Sequence, residues 1–185
     1  MNASLRALSE RTVGAFGRAL TKVGLTCPYY ITQNDGTLMS RDFVQSYPVL
    51  TFASGPTNSM RGAAFLSGKL DAIVVDVGGT TTDVGALVKG FPRPASTTVD
   101  VGGVRTNFRM PDVFAIGLGG GTIVEGTGET LTVGPRSVGY KLTTDALIFG
   151  GSTLTTSDIA VGLGLADFGD KSAIADLKDD HLQAV

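Results

Sequence analysis

Residues Ala72–Val84 read AIVVDVGGTTTDV, and no other stretch constrains the fold of this 185-residue chain as tightly. A β-branched apolar run, Ile73, Val74 and Val75, ends at a carboxylate, Asp76. Gly78 and Gly79 follow, then the hydroxyls of Thr80, Thr81 and Thr82, then a second carboxylate, Asp83. Short β-branched runs bounded by glycine read as strands. Val84 to Val88 are again mostly apolar, so the segment reads as a strand, a Gly-Gly turn and a second, antiparallel strand. With no Cβ at 78 and 79, backbone N–H groups can approach an anion closely. Threonine hydroxyls add donors for phosphate oxygens. A carboxylate at a strand end suits Mg²⁺, which is held by one or two carboxylates together with water and substrate phosphates. Two readings are open at this point: half of a nucleotide-phosphate clamp, or an ordinary hairpin turn between threonine-bearing strands. Neither G-x-G-x-x-G nor G-x-x-x-x-G-K-[ST] occurs near it.

The flanks narrow the choice. Upstream stands TFASGPTNSMRGAAFLSG, Thr51 to Gly68; downstream stands DVFAIGLGGGTIV, Asp112 to Val124. With DAIVVDVGGTTTDVG between them, these resemble the hydantoinase A/5-oxoprolinase family, in that order and at compatible spacing. The likeness extends to NASLRALSERTV at the start, YITQNDGTLMS at Tyr30–Ser40 and LTTSDIAVGLGLADFGD near the end. The strand–Gly-Gly-Thr–strand unit is similar to the phosphate hairpin of the actin, sugar-kinase and heat-shock ATPase superfamily. The resemblance implies an ATP-dependent enzyme that activates a cyclic amide or a ketone by phosphorylating its oxygen, with hydrolysis or carboxylation to follow.

The resemblance also implies roles. Asp76 would position Mg²⁺ or its waters, with Asp83 as the second acidic candidate. Gly78 and Gly79 would offer backbone N–H groups to ATP phosphates, and Thr80, Thr81 and Thr82 hydroxyl donors. Gly119, Gly120 and Gly121, before Thr122, resemble the family's glycine loop. Whether that loop faces nucleotide, faces the organic substrate or is plain strand-turn chemistry stays open in the sequence. A complete member has two similar lobes, each with its own phosphate hairpin. The TTTDV version is similar to that of the second lobe, and the chain carries one such hairpin. The expectation is therefore an interior segment, completed by a remaining lobe or a partner subunit. A VDVGG echo at Val99–Gly103 continues with Val104-Arg105 in place of threonines and reads as a strand and turn, with Asp100 a further polar candidate.

The expected fold is α/β, with α+β also open: a mixed sheet containing the antiparallel hairpin, helices packed against it, in a partial actin-like, ribonuclease H-like lobe. Residues 1–68 are expected to form a connecting region of helices and short strands, and 70–185 the partial lobe. The favoured function is the phosphate-binding part of an ATP-dependent cyclic amide hydrolase. The alternatives are an ATP-dependent carboxylase subunit and a non-catalytic scaffold or assembly domain. A small-molecule kinase is disfavoured by SGPTNSMRGAAFLSG.

A net charge of −2 gives no electrostatic reason to expect nucleic acid or an anionic membrane as partner. The 26 glycines accompany 42% hydrophobic residues, which indicates many turns in a folded chain rather than disorder. Cys27 is the lone cysteine, so no internal disulfide is expected, and beside Pro28 it reads as a small hydrophobe of core or loop. The N-terminus has no long apolar run, which argues against a signal peptide or a membrane span and for a cytoplasmic protein. An unfinished sheet edge would favour self-association.

Along the chain, Leu5, Leu8, Thr12, Phe16, Ala19, Leu20 and Val23 recur at helical spacing, with Asn2 as expected N-cap and Gly24 as stop. Pro28 to Gln33 reads as a strand before the Asn34-Asp35-Gly36 turn. Ser40 is the expected cap of a helix Arg41–Ser46, and Val49–Ala53 reads as a strand. A helix opens at Ser54-Gly55-Pro56, capped by Ser54 or Thr57, with Met60, Ala63, Ala64 and Phe65 as its core face. Gly90 to Pro94 is too Pro-rich for strand interior, and Ser96–Val101 alternates like a strand. Short β segments are expected around Gly134-Pro135, and Thr155 to Asp158 reads as the cap of a helix to about Leu163. Asp167–Val185 is a polar tail whose His181 reads as solvated.

Overall fold

The computed structural model describes residues 1–95, 99–101, 103–106 and 110–177. The chain divides into two compact units, Met1–Val74 with Gly85–Val113, and Val75–Val84 with Phe114–Val185. Together the elements are a mixture of helices and antiparallel sheets, as the fold class required; among the described residues no helix is long and apolar enough to cross a membrane.

The first unit opens with helix α1 (Asn2–Lys22). Asn2 lies inside the helix rather than capping it, because its amide has other partners: Nδ2 donates to the Ser46 carbonyl, and Oδ1 accepts from Val49 N. Gly24, at φ +80°, ends the helix as expected. The buried residue of α1 is Val13, which packs with Met39, Val44, Ile31 and Leu50, whereas Leu8 and Phe16 of the expected stripe are exposed. The strand expected over Pro28–Gln33 shortens to β1 (Ile31–Thr32), paired antiparallel with β2 (Leu38–Met39) across the Asn34-Asp35-Gly36 turn. Helix α2 (Arg41–Ser46) is capped as expected, Ser40 Oγ accepting from Phe43 N. The strand expected at Val49–Ala53 is instead a 3₁₀ turn, Pro48–Thr51, since Pro48 at its start has φ preset for a helical turn.

Helix α3 (Ser54–Ser67) follows a residue in left-handed conformation, Ala53 at φ +57°, and has no side-chain cap. Thr57, expected as a cap, is buried and donates its hydroxyl to the Asn34 carbonyl at 3.0 Å. Met60 and Ala64 face the core, while Phe65 is 87% exposed and leaves the expected face. They pack with Leu87, Ala72, Val74 and Val113. Gly85 makes that seat: a Cβ there would lie 2.7 Å from Met60 Sδ and Cε. Fully burying a Met or Leu side chain such as Met60 or Leu87 stabilises by roughly 1.5–3 kcal/mol each.

Strands β3 (Ala72–Val77) and β4 (Thr82–Val88) form the expected hairpin. Gly90 to Pro94, read as a turn, includes β5 (Phe91–Pro92), which pairs antiparallel with Leu87 and Val88. The proline is tolerated because the strand lies at the end of the strand order, where no donor is required of it. The expected strand Ser96–Val101 is seen as β6 (Val99–Val101), antiparallel to β7 (Val104–Thr106); Ser96–Thr98 and the Asp100 side chain lie outside the described residues. Strand β8 (Val113–Ile116) pairs with β4.

In the second unit, β9 (Thr122–Glu125) and β10 (Thr132–Ser137) pair antiparallel, with Gly134-Pro135 inside β10 where the register shifts. Helix α4 (Leu142–Asp145) leads to a 3₁₀ turn, Leu147–Phe149, and then to helix α5 (Thr156–Gly162), which has the expected cap: Thr155 and Asp158 form a capping box. Ala146, Ile148 and Val161 form the core with Ile174, so the tail read as polar reaches back to bury a side chain. His181 lies outside the described residues. Cys27 is exposed, so of its two expected settings it takes the loop.

Candidate functional site

The tip of the β3–β4 hairpin and the glycine loop belong to the same unit. Gly78 N donates to the Thr81 carbonyl at 2.8 Å and closes the turn. That closure sets Val77 opposite Thr82 and Asp76 opposite Asp83, on one face of the hairpin. Both carboxylates are half-buried, and among the described residues neither is paired with a lysine or arginine. Burial and then the Asp76 charge raise the Asp83 pKa above the ordinary carboxylate value.

Behind the turn, the glycine loop holds the backbone in place. Gly120 N donates to the Gly78 carbonyl at 3.0 Å, and Gly121 N to the Gly79 carbonyl at 2.7 Å. Gly119 N donates to Thr122 Oγ1 at 2.7 Å. The three loop amides therefore already have partners inside the protein. The approach is too close for any side chain: a Cβ on Gly119 would lie 2.6 Å from the Gly78 carbonyl oxygen and 2.7 Å from Thr80 N. Thr82 is buried and donates Oγ1 to the Leu118 carbonyl at 2.6 Å, which ties the start of β4 to the same loop.

What remains at the tip is a set of unengaged donors. The amides of Gly79, Thr80 and Thr81 have no intramolecular partner among the described residues, nor do the Thr80 and Thr81 hydroxyls, and Gly78 to Thr81 are exposed. Nothing lies within 4 Å of the position a Cβ would take on Gly79. Next to the turn, Val77, Thr82, Leu118, Gly119, Thr156 and Phe168 border a cavity of about 550 Å³.

The structure thus brings Asp76, Asp83, Gly78, Gly79, Thr80 and Thr81 together at one tip. It sets Thr82, Gly119, Gly120 and Gly121 immediately behind, with their donors directed at protein carbonyls or, for Gly119, at the Thr122 hydroxyl. The LTTSD stretch is legible in the sequence as a helix cap, whereas its contact with the glycine loop is not. Thr156 Oγ1 donates to the Gly119 carbonyl and Ser157 N to the Gly120 carbonyl. No sequence spacing reports those long-range bonds. Hard oxygen donors facing each other, without a protein cation, match the donor set Mg²⁺ takes. Among the described residues no cluster of three or more His, Cys, Asp or Glu offers a fuller metal site.

Fold and tip together describe a mixed α/β protein, similar to parts of ATP-dependent enzymes. It is similar to the nucleotide-free acetone carboxylase structure solved for ATP-dependent acetone carboxylation, with TM-score 0.71 and 20% identity, over 89% of this chain and 25% of that one. It is also similar to the ATP-dependent caprolactamase of Pseudomonas jessenii, with TM-score 0.68 and 23% identity, over 99% of this chain and 30% of that one. Residues 1–169 match the Hydantoinase/oxoprolinase family, and the chain belongs to that family. In sequence it is 30% identical over 169 residues to the acetophenone carboxylase gamma subunit of Aromatoleum aromaticum, covering 89% of this chain and 23% of that protein. The chain spans about a quarter of the length of that curated relative.

Proposed function

We propose that this chain is the nucleotide-phosphate-binding part of an ATP-dependent enzyme of the hydantoinase/oxoprolinase type. One observation carries the reading. The turn Gly78–Thr81 leaves three amides unengaged on its exposed side, while its carbonyls at 78 and 79 are held from behind. An anion is the ligand that such a concentration of N–H donors favours.

In this reading the amides of Gly79, Thr80 and Thr81, with the Thr80 and Thr81 hydroxyls, donate to phosphate oxygens of ATP. Gly78 closes the turn, and Gly119, Gly120, Gly121 and Thr82 hold it in shape. Asp76, with Asp83 facing it, would hold Mg²⁺ or its water, and the ion would offset phosphate charge. An actin-like, ribonuclease H-like lobe is the architecture in which such a hairpin works. Phosphoryl transfer draws its rate from positioning and charge stabilisation on several sides of the phosphate. The hairpin supplies one side; the others come from a second lobe or a partner subunit.

The chemistry proposed for the whole enzyme is activation of the oxygen of a cyclic amide, followed by ring opening. A second reading, an ATP-dependent carboxylase subunit acting on a ketone, is favoured by the 30% identity to the acetophenone carboxylase gamma subunit. Product analysis separates the two: an opened ring and free phosphate, or a new carboxylate that depends on bicarbonate.

The direct test is calorimetric titration of a nonhydrolysable ATP analogue into wild type and Asp76→Ala, with and without Mg²⁺. Saturable, Mg²⁺-dependent binding that weakens about tenfold or more in the variant is expected, the size of one lost charge-assisted contact. Equal Mg²⁺-dependent affinity in both proteins removes the role given to Asp76. No binding by either returns the chain to a scaffold role.

A further inference from the structure

Asp158 is fully buried and its carboxylate is fully engaged, although it lies in none of the motifs that suggested a nucleotide site. Oδ1 accepts from Ile148 N at 2.8 Å; Oδ2 accepts from Thr155 N at 2.6 Å and from Thr155 Oγ1 at 2.7 Å. These three bonds fix the first turn of α5. The next two residues of that turn reach the glycine loop: Thr156 Oγ1 donates to the Gly119 carbonyl, and Ser157 N donates to the Gly120 carbonyl at 3.0 Å. The loop in turn donates from Gly120 N and Gly121 N to the carbonyls of Gly78 and Gly79. Val138 N donates to the Gly121 carbonyl at 2.9 Å and secures the far side of the loop.

The consequence follows from peptide geometry. In a planar trans peptide the C=O of one residue and the N–H of the next point in opposite directions. Pulling the Gly78 carbonyl toward the glycine loop turns the Gly79 N–H outward. Pulling the Gly79 carbonyl the same way turns the Thr80 N–H outward. The direction of two of the three unengaged amides at the tip is thus set by bonds made on the opposite side of the backbone.

We infer that Thr156 and Ser157, anchored by Asp158, are positioning residues for the anion-binding turn: they aim the Gly79 and Thr80 amides through the glycine loop without touching the ligand. The inference rests on the phosphate reading for its ligand, while the hydrogen-bond relay it describes stands on the protein alone. It also gives Gly119 and Gly120 a role that differs from ligand contact. Each is the joint at which α5 grips the turn.

Thr156→Val in the full chain is the informative variant. It keeps the shape of the side chain and removes the donor to Gly119, whose carbonyl still accepts from Thr122 N at 3.0 Å. No buried acceptor is orphaned, so the melting temperature should stay close to wild type. Two readouts then carry the result, amide hydrogen exchange at Gly120 and Gly121, and Mg-ADP affinity by calorimetry. Exchange at those two amides is expected to speed up about tenfold, and Mg-ADP binding to weaken by about the same factor, the scale of one hydrogen bond. Thr156→Ser, which restores the hydroxyl, should return both to wild-type values. Unchanged exchange and unchanged affinity in Thr156→Val overturn the inference, as does a Thr156→Ser protein as impaired as Thr156→Val. If wild type binds no Mg-ADP while exchange still responds to Thr156→Val, the relay holds and the phosphate reading fails.

Discussion

Asp76 and Asp83 face each other across the β3–β4 hairpin, two carboxylates with no lysine or arginine pairing to either among the described residues. Burial and the neighbouring Asp76 charge both raise the Asp83 pKa. A folded-state pKa above the unfolded value means that the protonated form is favoured by folding. The pair therefore destabilises the native hairpin above that folded pKa, and the penalty is relieved as pH falls through it. Asp83→Asn should leave stability at pH 7 equal to wild type or higher, with the advantage fading as pH falls through the raised Asp83 titration toward the ordinary carboxylate range, where the wild-type carboxyl is neutral too. Thermal melts across pH read this directly; a variant that loses stability only near neutrality contradicts the arrangement.

Removing one charge should be visible on the other. In Asp76→Asn, the Asp83 pKa is expected to fall toward the ordinary carboxylate value, without reaching it, because the contribution of burial remains. Carbon-detected NMR titration of the side-chain carboxyls measures it. An unchanged Asp83 titration would show that the two groups do not sense each other.

Mg²⁺ acts on the same pair in the opposite sense to Asp76, because a cation favours the charged form. Adding Mg²⁺ with a nonhydrolysable ATP analogue should lower the Asp83 pKa. Chelation with EDTA should weaken analogue binding about tenfold or more, and so should lowering pH through the Asp83 titration. Binding that ignores both chelator and pH would leave the carboxylates without a metal role.

Two glycines within one site should respond in opposite ways. Gly119→Ala sets a Cβ 2.6 Å from the Gly78 carbonyl oxygen, backbone against backbone, and should destabilise by roughly 1–3 kcal/mol or more. Gly79→Ala meets nothing within 4 Å and should leave the melting temperature nearly unchanged while obstructing an incoming anion. Chemical denaturation paired with nucleotide titration separates the two effects. Comparable stability losses in both would mean that the turn and the loop do not meet as described.

Asp158→Asn keeps the volume but replaces a charged acceptor of three hydrogen bonds with an amide. If Oδ1 goes on accepting from Ile148 N, the new NH₂ group faces the Thr155 amide, donor against donor, and only the Thr155 hydroxyl can turn to accept from it. Leaving such buried donors unpaired costs roughly 1–3 kcal/mol. Urea denaturation should show a loss on that scale, against a change within about 0.5 kcal/mol for an exposed control such as Asp176→Asn.

Much of this protein is legible in its sequence, where the signal is local. The alternation AIVVDV, the glycines of the turn and the apolar residues after it dictate a hairpin. Pro and cap residues set α2 and α5 within a residue of their observed bounds. Local signals also misled where a tertiary partner competed. Asn2 was the obvious cap but bonds Ser46 and Val49, 44 and 47 residues away. Phe65 was read onto the core face of α3 by spacing, yet lies beside the buried Ala64 and is itself exposed.

The sequence by itself determined that a strand ending in Asp76, a flexible turn rich in hydroxyls and a second strand carrying Asp83 would follow one another, because strand periodicity and glycine chemistry act over a few residues; the Gly78–Thr81 closure then put the two carboxylates on one face. Only the tertiary structure decided which donors stay available. Gly119, Gly120 and Gly121 look as open as Gly79 in the sequence, but their amides close on Thr122 and on the carbonyls of Gly78 and Gly79. Hydrogen bonds between segments some 40 residues apart leave no periodic trace along a chain, since their partners are chosen by the packing of the whole unit.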